Sequence, residues 1–191
     1  MNQKNHILFI FVLVALATAS RLLPHPNNFT PLLAIALFAG RQLPGRFSSL
    51  GLVAVSMLAI DLPLIFTQIL PQSGAAILPK IVLVNVFVYG TVLGTAMISN
   101  RVRAVSNWQT TLLGSLAASL AFFLATNLAS WMAFYPLSWS SLVQCYVNAV
   151  PFFKNTWLST LLYSAAFYLA LEARHRWEQR QSLRRSTLAA S

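Results

Sequence analysis

Acidic side chains are nearly missing from this chain. Asp61, Glu172 and Glu178 are the only three in 191 residues, against 13 Lys and Arg, giving a formal net charge of +10. Asp61 alone cannot build a paired-carboxylate mechanism. A single cysteine, Cys145, excludes an internal disulfide and a Cys-rich metal site. Of the three histidines, His6, His25 and His175, no two are spaced as a metal pair. H-E-x-x-H, G-x-S-x-G and P-loop motifs are all absent. These gaps argue against an enzyme and lead us to expect no cofactor and no metal. Without a P-loop, active transport would need a partner or an ion gradient.

Charge of either sign is scarce, at 8% of residues, where a soluble domain carries about a quarter. Hydrophobic residues make up 57% of the chain and the mean hydropathy is +0.66. A small globule has too much surface to hide this much apolar side chain, whereas a bilayer removes the difficulty. Its hydrocarbon core is about 30 Å thick and takes roughly 20 apolar residues per helix. The apolar runs are too long for barrel strands, and helices satisfy their own backbone in lipid.

Six apolar runs follow, at 7–19, 29–39, 48–70, 80–99, 111–134 and from Pro151 to Glu172. Pro31, Pro79 and Pro151 fall where helices start, since a missing N–H costs nothing there. The stretch 140–149 reads as a short half-helix or an interfacial segment. Beyond Glu172 the tail is basic and is expected to continue the last helix briefly and then fray. The expected fold is an all-α membrane protein, a bundle of about six transmembrane helices. It forms one domain over residues 1–175 with a basic cytoplasmic tail at 176–191. Lys4, an apolar stretch and Ala17-Thr18-Ala19 also fit a cleavable signal peptide, which would leave five spans.

The basic residues sit in short loops and at the C-terminus, so they read as orientation signals and not as a nucleic-acid surface. With the N-terminus cytoplasmic, ten of the 13 lie inside: Lys4, Arg41, Arg46, Arg101, Arg103, Arg174, Arg176, Arg180, Arg184 and Arg185. Only Arg21, Lys80 and Lys154 lie outside. This bias places both termini in the cytoplasm of a multi-pass protein of the inner (plasma) membrane.

Polar groups in a membrane are costly, so their depth is informative. In this orientation the external half holds Arg21, His25, Asn27, Asn28, Asp61, Lys80, Asn85, Asn127, Trp131, Tyr135, Gln144, Tyr146, Asn148, Lys154 and Asn155. The cytoplasmic halves are almost purely apolar or small. The asymmetry predicts a polar cavity open to the outside. Structural roles account for part of the set: an aromatic belt for Trp131, Tyr135 and Trp139, snorkelling for Lys80 and Lys154, and interhelical hydrogen bonds for Asn85 and Asn127. Asp61 must pair or face a cavity, with Arg21 its natural partner. Gly90-x-x-x-Gly94, Ala15-x-x-x-Ala19 and the stripe Ala117, Ala121, Ala125 read as close helix approaches or as docking faces.

Three blocks carry a resemblance. They are Arg21-Leu-Leu-Pro-His-Pro-Asn-Asn-Phe-Thr-Pro31 with the run to Phe38-Ala-Gly40, then Phe122-Phe-Leu-Ala-Thr-Asn127 with Trp131 and Tyr135-Pro136, then Cys145-Tyr-Val-Asn-Ala-Val-Pro-Phe-Phe-Lys-Asn155. In order and over most of the chain, they resemble an uncharacterised bacterial membrane family described as transport proteins. That family is similar in size and layout to the substrate-binding S components of energy-coupling factor transporters. The resemblance implies six helices and capture of a vitamin or metal ion from outside. It also implies partnership with a transmembrane coupling subunit and two ATPases. The loop after the first helix would cap the site and the last three helices would line it. Trp157, Leu158 and Ser159 depart from that family's pattern, which has a small or acidic residue here.

The leading expectation is a subunit that binds and transports a small molecule, vitamin-like or an anionic metabolite. Arg21, Lys80 and Lys154 against one Asp61 favour an anionic group. Asn127, Asn148 and Asn155 supply neutral hydrogen bonds, and Trp131, Tyr135 and Tyr146 stacking surface. The site set is then Arg21, His25, Asn27, Asn28, Asp61, Asn127, Trp131, Tyr135, Tyr146, Asn148, Lys154 and Asn155. Two alternatives remain open: a non-transporting membrane scaffold or assembly protein, and a proton-coupled carrier with Asp61 as the relay.

Overall fold

A computed structural model of the chain describes residues 3–20, 23–24, 26–43, 45–102 and 108–190. Most of those residues are helical, with no strand among them. The helices are α1 (Gln3–Ala19), α2 (Leu32–Gln42), α3 (Arg46–Leu64), α4 (Leu70–Ser73), α5 (Leu78–Arg101), α6 (Trp108–Phe134) and α7 (Trp139–Ala190). Between α3 and α4 the chain widens into one π turn, Ile65–Ile69. Pro71, which has no N–H to donate, stands just beyond it. Leu70 N–H reaches back five residues to Ile65 O, so the insertion is absorbed without breaking the rod.

The centre of the bundle is α2. Its nine residues from Leu32 to Gly40 are all buried, walled by α1, α3, α5, α6 and α7. At eleven residues α2 covers about 16 Å, half the hydrocarbon thickness. Its run of Leu, Ala, Ile and Phe has no polar face because it has no solvent face. Gly40 lets α2 touch α5: a Cβ there would lie 2.8 Å from Ser99 Cβ, and closer still to Ala96 O. Two hydrogen bonds lock this contact, Ser99 Oγ–H to Leu37 O at 2.7 Å and Asn100 Nδ2–H to Gly40 O at 3.0 Å.

Buried hydroxyls elsewhere mostly turn onto their own helix. Ser56 bonds Leu52 O, Ser115 bonds Thr111 O, Thr126 bonds Phe122 O and Thr160 bonds Thr156 O. An apolar interior tolerates Ser and Thr when the preceding turn accepts the proton.

Among the described residues two helices, α5 and α6, are long and apolar enough to cross a membrane. Only 17% and 22% of their apolar windows are buried, so their hydrophobic surface faces outward. The core helix of a soluble protein would have the reverse.

Four expectations need correction. The stretch 140–149 is neither a half-helix nor an interfacial segment but the opening of α7, and Pro151 lies inside that helix and not at its start. Pro151 forfeits one backbone bond. Packing on α6 holds the segment in line: Cys145 and Ala149 are buried, and Tyr146 Oη–H bonds Leu124 O at 2.7 Å. The basic tail does not fray but stays helical to Ala190. The pairs Glu172–Arg176 (2.9 Å) and Arg174–Glu178 (3.0 Å) support it at i,i+4 spacing. A Cβ at Gly90 or Gly94 would meet nothing within 4 Å, so the G-x-x-x-G pattern marks no close approach among the described residues. Arg103 lies outside the described residues.

Candidate functional site

The segment between α1 and α2 is bent by Pro24, Pro26 and Pro31 and cannot form a helix of its own. A turn closes on Phe29 N–H to Pro26 O at 3.0 Å. Asn28 occupies the left-handed region at φ +61, which Asn tolerates better than most residues. The turn sets Asn28 and Thr30 over a cavity of about 140 Å³.

Each neighbouring helix adds side chains to that cavity. α3 brings Asp61, α5 brings Asn85, α6 brings Phe122, and α7 brings Thr156 and Thr160. Asn85 and Tyr89 lie one turn apart on α5, and Tyr89 Oη–H donates to Asp61 Oδ2 at 2.9 Å. Thr160 Oγ also accepts from Ser119 at 3.4 Å, which ties the α7 wall to α6. The cavity exceeds the about 10–15 Å³ that one water needs. It falls below the about 300 Å³ where drug-sized pockets begin. It suits a ligand of a few non-hydrogen atoms, read by amides, hydroxyls and one carboxylate.

The loop over this cavity is strapped to α7. Asn155 Nδ2–H donates to Asn27 O at 2.9 Å. Ser20 Oγ and Tyr163 Oη lie 2.7 Å apart at the end of α1, and the Phe29 and Tyr163 rings pack at 6.2 Å.

Of the residues expected at the site, Asn28 and Asp61 line the cavity, while Asn27 and Asn155 form the strap. Arg21 and His25 lie outside the described residues, and with them the expected Arg21–Asp61 pair. The others sit where α6 meets the start of α7. Asn127 Nδ2–H folds back on Phe123 O at 2.7 Å, and Trp131 Nε1–H bonds Ser141 Oγ at 3.0 Å. Tyr135 stands beside Cys145, which is itself within 3.5 Å of Asn127 O. Tyr146 lines an apolar groove between α6 and α7, and Asn148 pairs with Gln144 at 2.8 Å. Lys154 is exposed, and Lys80 Nζ sits 5.3 Å from the Phe134 ring centre. Neither lysine lines the cavity.

Thr156 and Thr160 escaped the sequence reading, Thr30 and Phe122 entered it only within the blocks that carry the resemblance, and Asn85 was read only as an interhelical bond. Thr156 and Thr160 were legible as an i,i+4 pair on the last helix. Depth alone does not say which face of a helix looks inward.

Neither the curated proteins nor the solved structures contain a match to this chain. A family model described as a family of unknown function (DUF6580) matches residues 1–182. Matched over nearly its whole length, the chain belongs to that family.

Proposed function

We propose that this protein is a multi-pass subunit of the inner membrane that captures a small polar molecule from the external side, in the manner of an S component. One observation carries the reading: a polar cavity roofed by the α1–α2 segment in an otherwise apolar helical bundle. Non-helical backbone at membrane depth is tolerated only where protein buries it or where it lines a wet cavity. The Lys and Arg distribution supports both termini in the cytoplasm and the cavity mouth outside. The outward apolar faces of α5 and α6 support lipid contact. A capping loop after the first helix, with α5, α6 and α7 as walls, is the arrangement the S-component resemblance implies.

The expected anionic ligand loses two of its three supports, because Lys80 and Lys154 point elsewhere. Hydrogen bonding from Asn28, Thr30, Asn85, Thr156 and Thr160 would then govern choice of ligand. With no nucleotide-binding motif in the chain, release to the cytoplasm would need a transmembrane coupling subunit and ATPases. The Tyr89–Asp61 hydrogen bond favours a second reading, a proton-coupled carrier with Asp61 as relay. Transport that survives Asp61→Asn removes it.

The test is a thermal-shift screen of detergent-purified protein against polar metabolites of a few non-hydrogen atoms. A hit should raise the melting temperature in wild type and lose its effect in Asn85→Leu and Thr160→Val. No stabilisation by any compound, or a hit indifferent to both substitutions, overturns the proposal.

A further inference from the structure

A second, larger cleft opens at the other end of the bundle, between α5 and α6. It encloses about 590 Å³ and is almost wholly apolar. Gly114, Ala117, Ala118 and Ala121 form one wall, and Thr95, Ile98 and Ser99 are part of the other. The two hydroxyls do not make the wall polar. Thr95 Oγ–H turns to Thr91 O at 2.9 Å, and Ser99 Oγ–H to Leu37 O at 2.7 Å. The lining from Thr110 to Ala121 covers about 16 Å of helix, against about 15 Å for the hydrocarbon of one leaflet.

One end of the cleft is charged. Arg41, on the last turn of α2, is half-buried there, with Nη1–H on Thr111 Oγ at 3.0 Å and Nη2–H on Thr110 O at 3.1 Å. Both acceptors are neutral. Nε is buried with no partner, and a guanidinium has five N–H donors. Gly114 packs beside the guanidinium: a Cβ there would lie 3.4 Å from Arg41 Nη2. No acid lines the cleft. A desolvated guanidinium without a carboxylate, at the head of an apolar slot one leaflet long, matches one chemistry: an anionic headgroup on an acyl chain.

We propose that this cleft binds a phospholipid of the cytoplasmic leaflet, with its anionic headgroup on Arg41 and one acyl chain between α5 and α6. The inference rests on the membrane placement proposed above and is independent of the polar cavity. Lipid in the slot fills a gap between α5 and α6 and supplies the counter-charge that Arg41 lacks among the described residues.

The experiment uses the full chain, delipidated in neutral detergent and mixed with micelles containing phosphatidylglycerol or phosphatidylcholine. Retained lipid is counted by native mass spectrometry and the melting temperature is recorded. Wild type should retain phosphatidylglycerol about fivefold better than phosphatidylcholine, the preference that one basic residue confers near a membrane surface. Arg41→Gln should bind both equally. Ala117→Leu, which fills the slot and leaves Arg41 in place, should retain less of either lipid and stands as the second variant should Arg41→Gln fold poorly. Equal retention of both lipids by wild type, or full preference in Arg41→Gln, overturns the proposal. Dimers that Ala117→Leu dissolves, without lipid preference, overturn it in favour of a second copy in the slot. Carbonate extraction of native membranes tests the membrane placement separately, since a peripheral chain would be released.

Discussion

Replacing Gly40 by Ala should damage this protein, whereas the same change at Gly94 should not. The added methyl at position 40 meets the backbone of α5, namely Ala96 O, with Ser99 Cβ at 2.8 Å and Asn100 N at 3.1 Å. A backbone cannot rotate aside, so α2 must move off α5. Overpacking of this kind costs about 1–3 kcal/mol. The shift also strains the Ser99–Leu37 and Asn100–Gly40 hydrogen bonds, each worth about 0.6 kcal/mol between membrane helices. Ala gains about 1 kcal/mol over Gly in helix propensity. The net loss is about 2 kcal/mol, or about 4–8 °C in melting temperature for a chain of this size. At Gly94 nothing lies within 4 Å, so only the propensity gain remains and stability should hold or rise slightly. Thermal unfolding in detergent, followed by fluorescence-detected size exclusion, reads both variants. An unchanged Gly40→Ala protein, or a Gly94→Ala protein that melts earlier, would refute the packing of α2 described above.

Other outcomes follow from the contacts at each end of the bundle. Asn155→Ala removes the strap to Asn27 O, a bond worth about 1 kcal/mol, and should speed proteolytic cleavage between α1 and α2 about fivefold under conditions where opening and reclosing are fast relative to cleavage. Arg174→Ala removes a hydrogen bond to Asn5 O at 2.9 Å and a cation–π contact with Phe9 at 4.5 Å. The loss should be about 2 kcal/mol, seen as faster amide exchange in the first turns of α1, with Arg174→Lys recovering only part. His6 is held below its ordinary pKa of 6.5, first by burial and then by Arg174 and His175, with Glu178 opposing. The folded state therefore binds fewer protons than the unfolded state just below pH 6.5. Its stabilising share is complete above pH 6.5 and is lost as pH falls through the depressed folded pKa. The melting temperature should drop between pH 7.5 and 5, and less steeply in His6→Gln.

The helices were legible because apolar runs bounded by Arg, Gly and Pro leave few other solutions in lipid. Where they joined was harder to read. Pro151 after the polar stretch Gln144–Asn148 imitates a helix start, and only packing on α6 shows the rod to be continuous. Spacing drew the eye to Gly90 and Gly94, which face open space. Gly40, beside Arg41, read as a helix end when it is where α2 packs against the backbone of α5. The candidate site divides along the same line. Charge bias and hydropathy give each polar residue a depth, so the clustering of Asn28, Asp61 and Asn85 at one end of the bundle was readable. The rotation of each helix about its axis was not, because α5 and α6 are apolar almost all round. The sequence therefore favours Asn127 over Asn85 as a site residue, although Asn127 folds onto its own backbone while Asn85 faces the cavity.

Access to the loop above the cavity tests the account most directly. Asn27→Cys places a thiol on the exposed turn and leaves the Asn27 carbonyl in its strap, and wild type is the blank because Cys145 is buried. A membrane-impermeant maleimide added to intact spheroplasts should label Asn27→Cys and spare Ser182→Cys on the C-terminal helix until the membrane is opened. The reverse pattern would turn the cavity to the cytoplasm and contradict capture from outside.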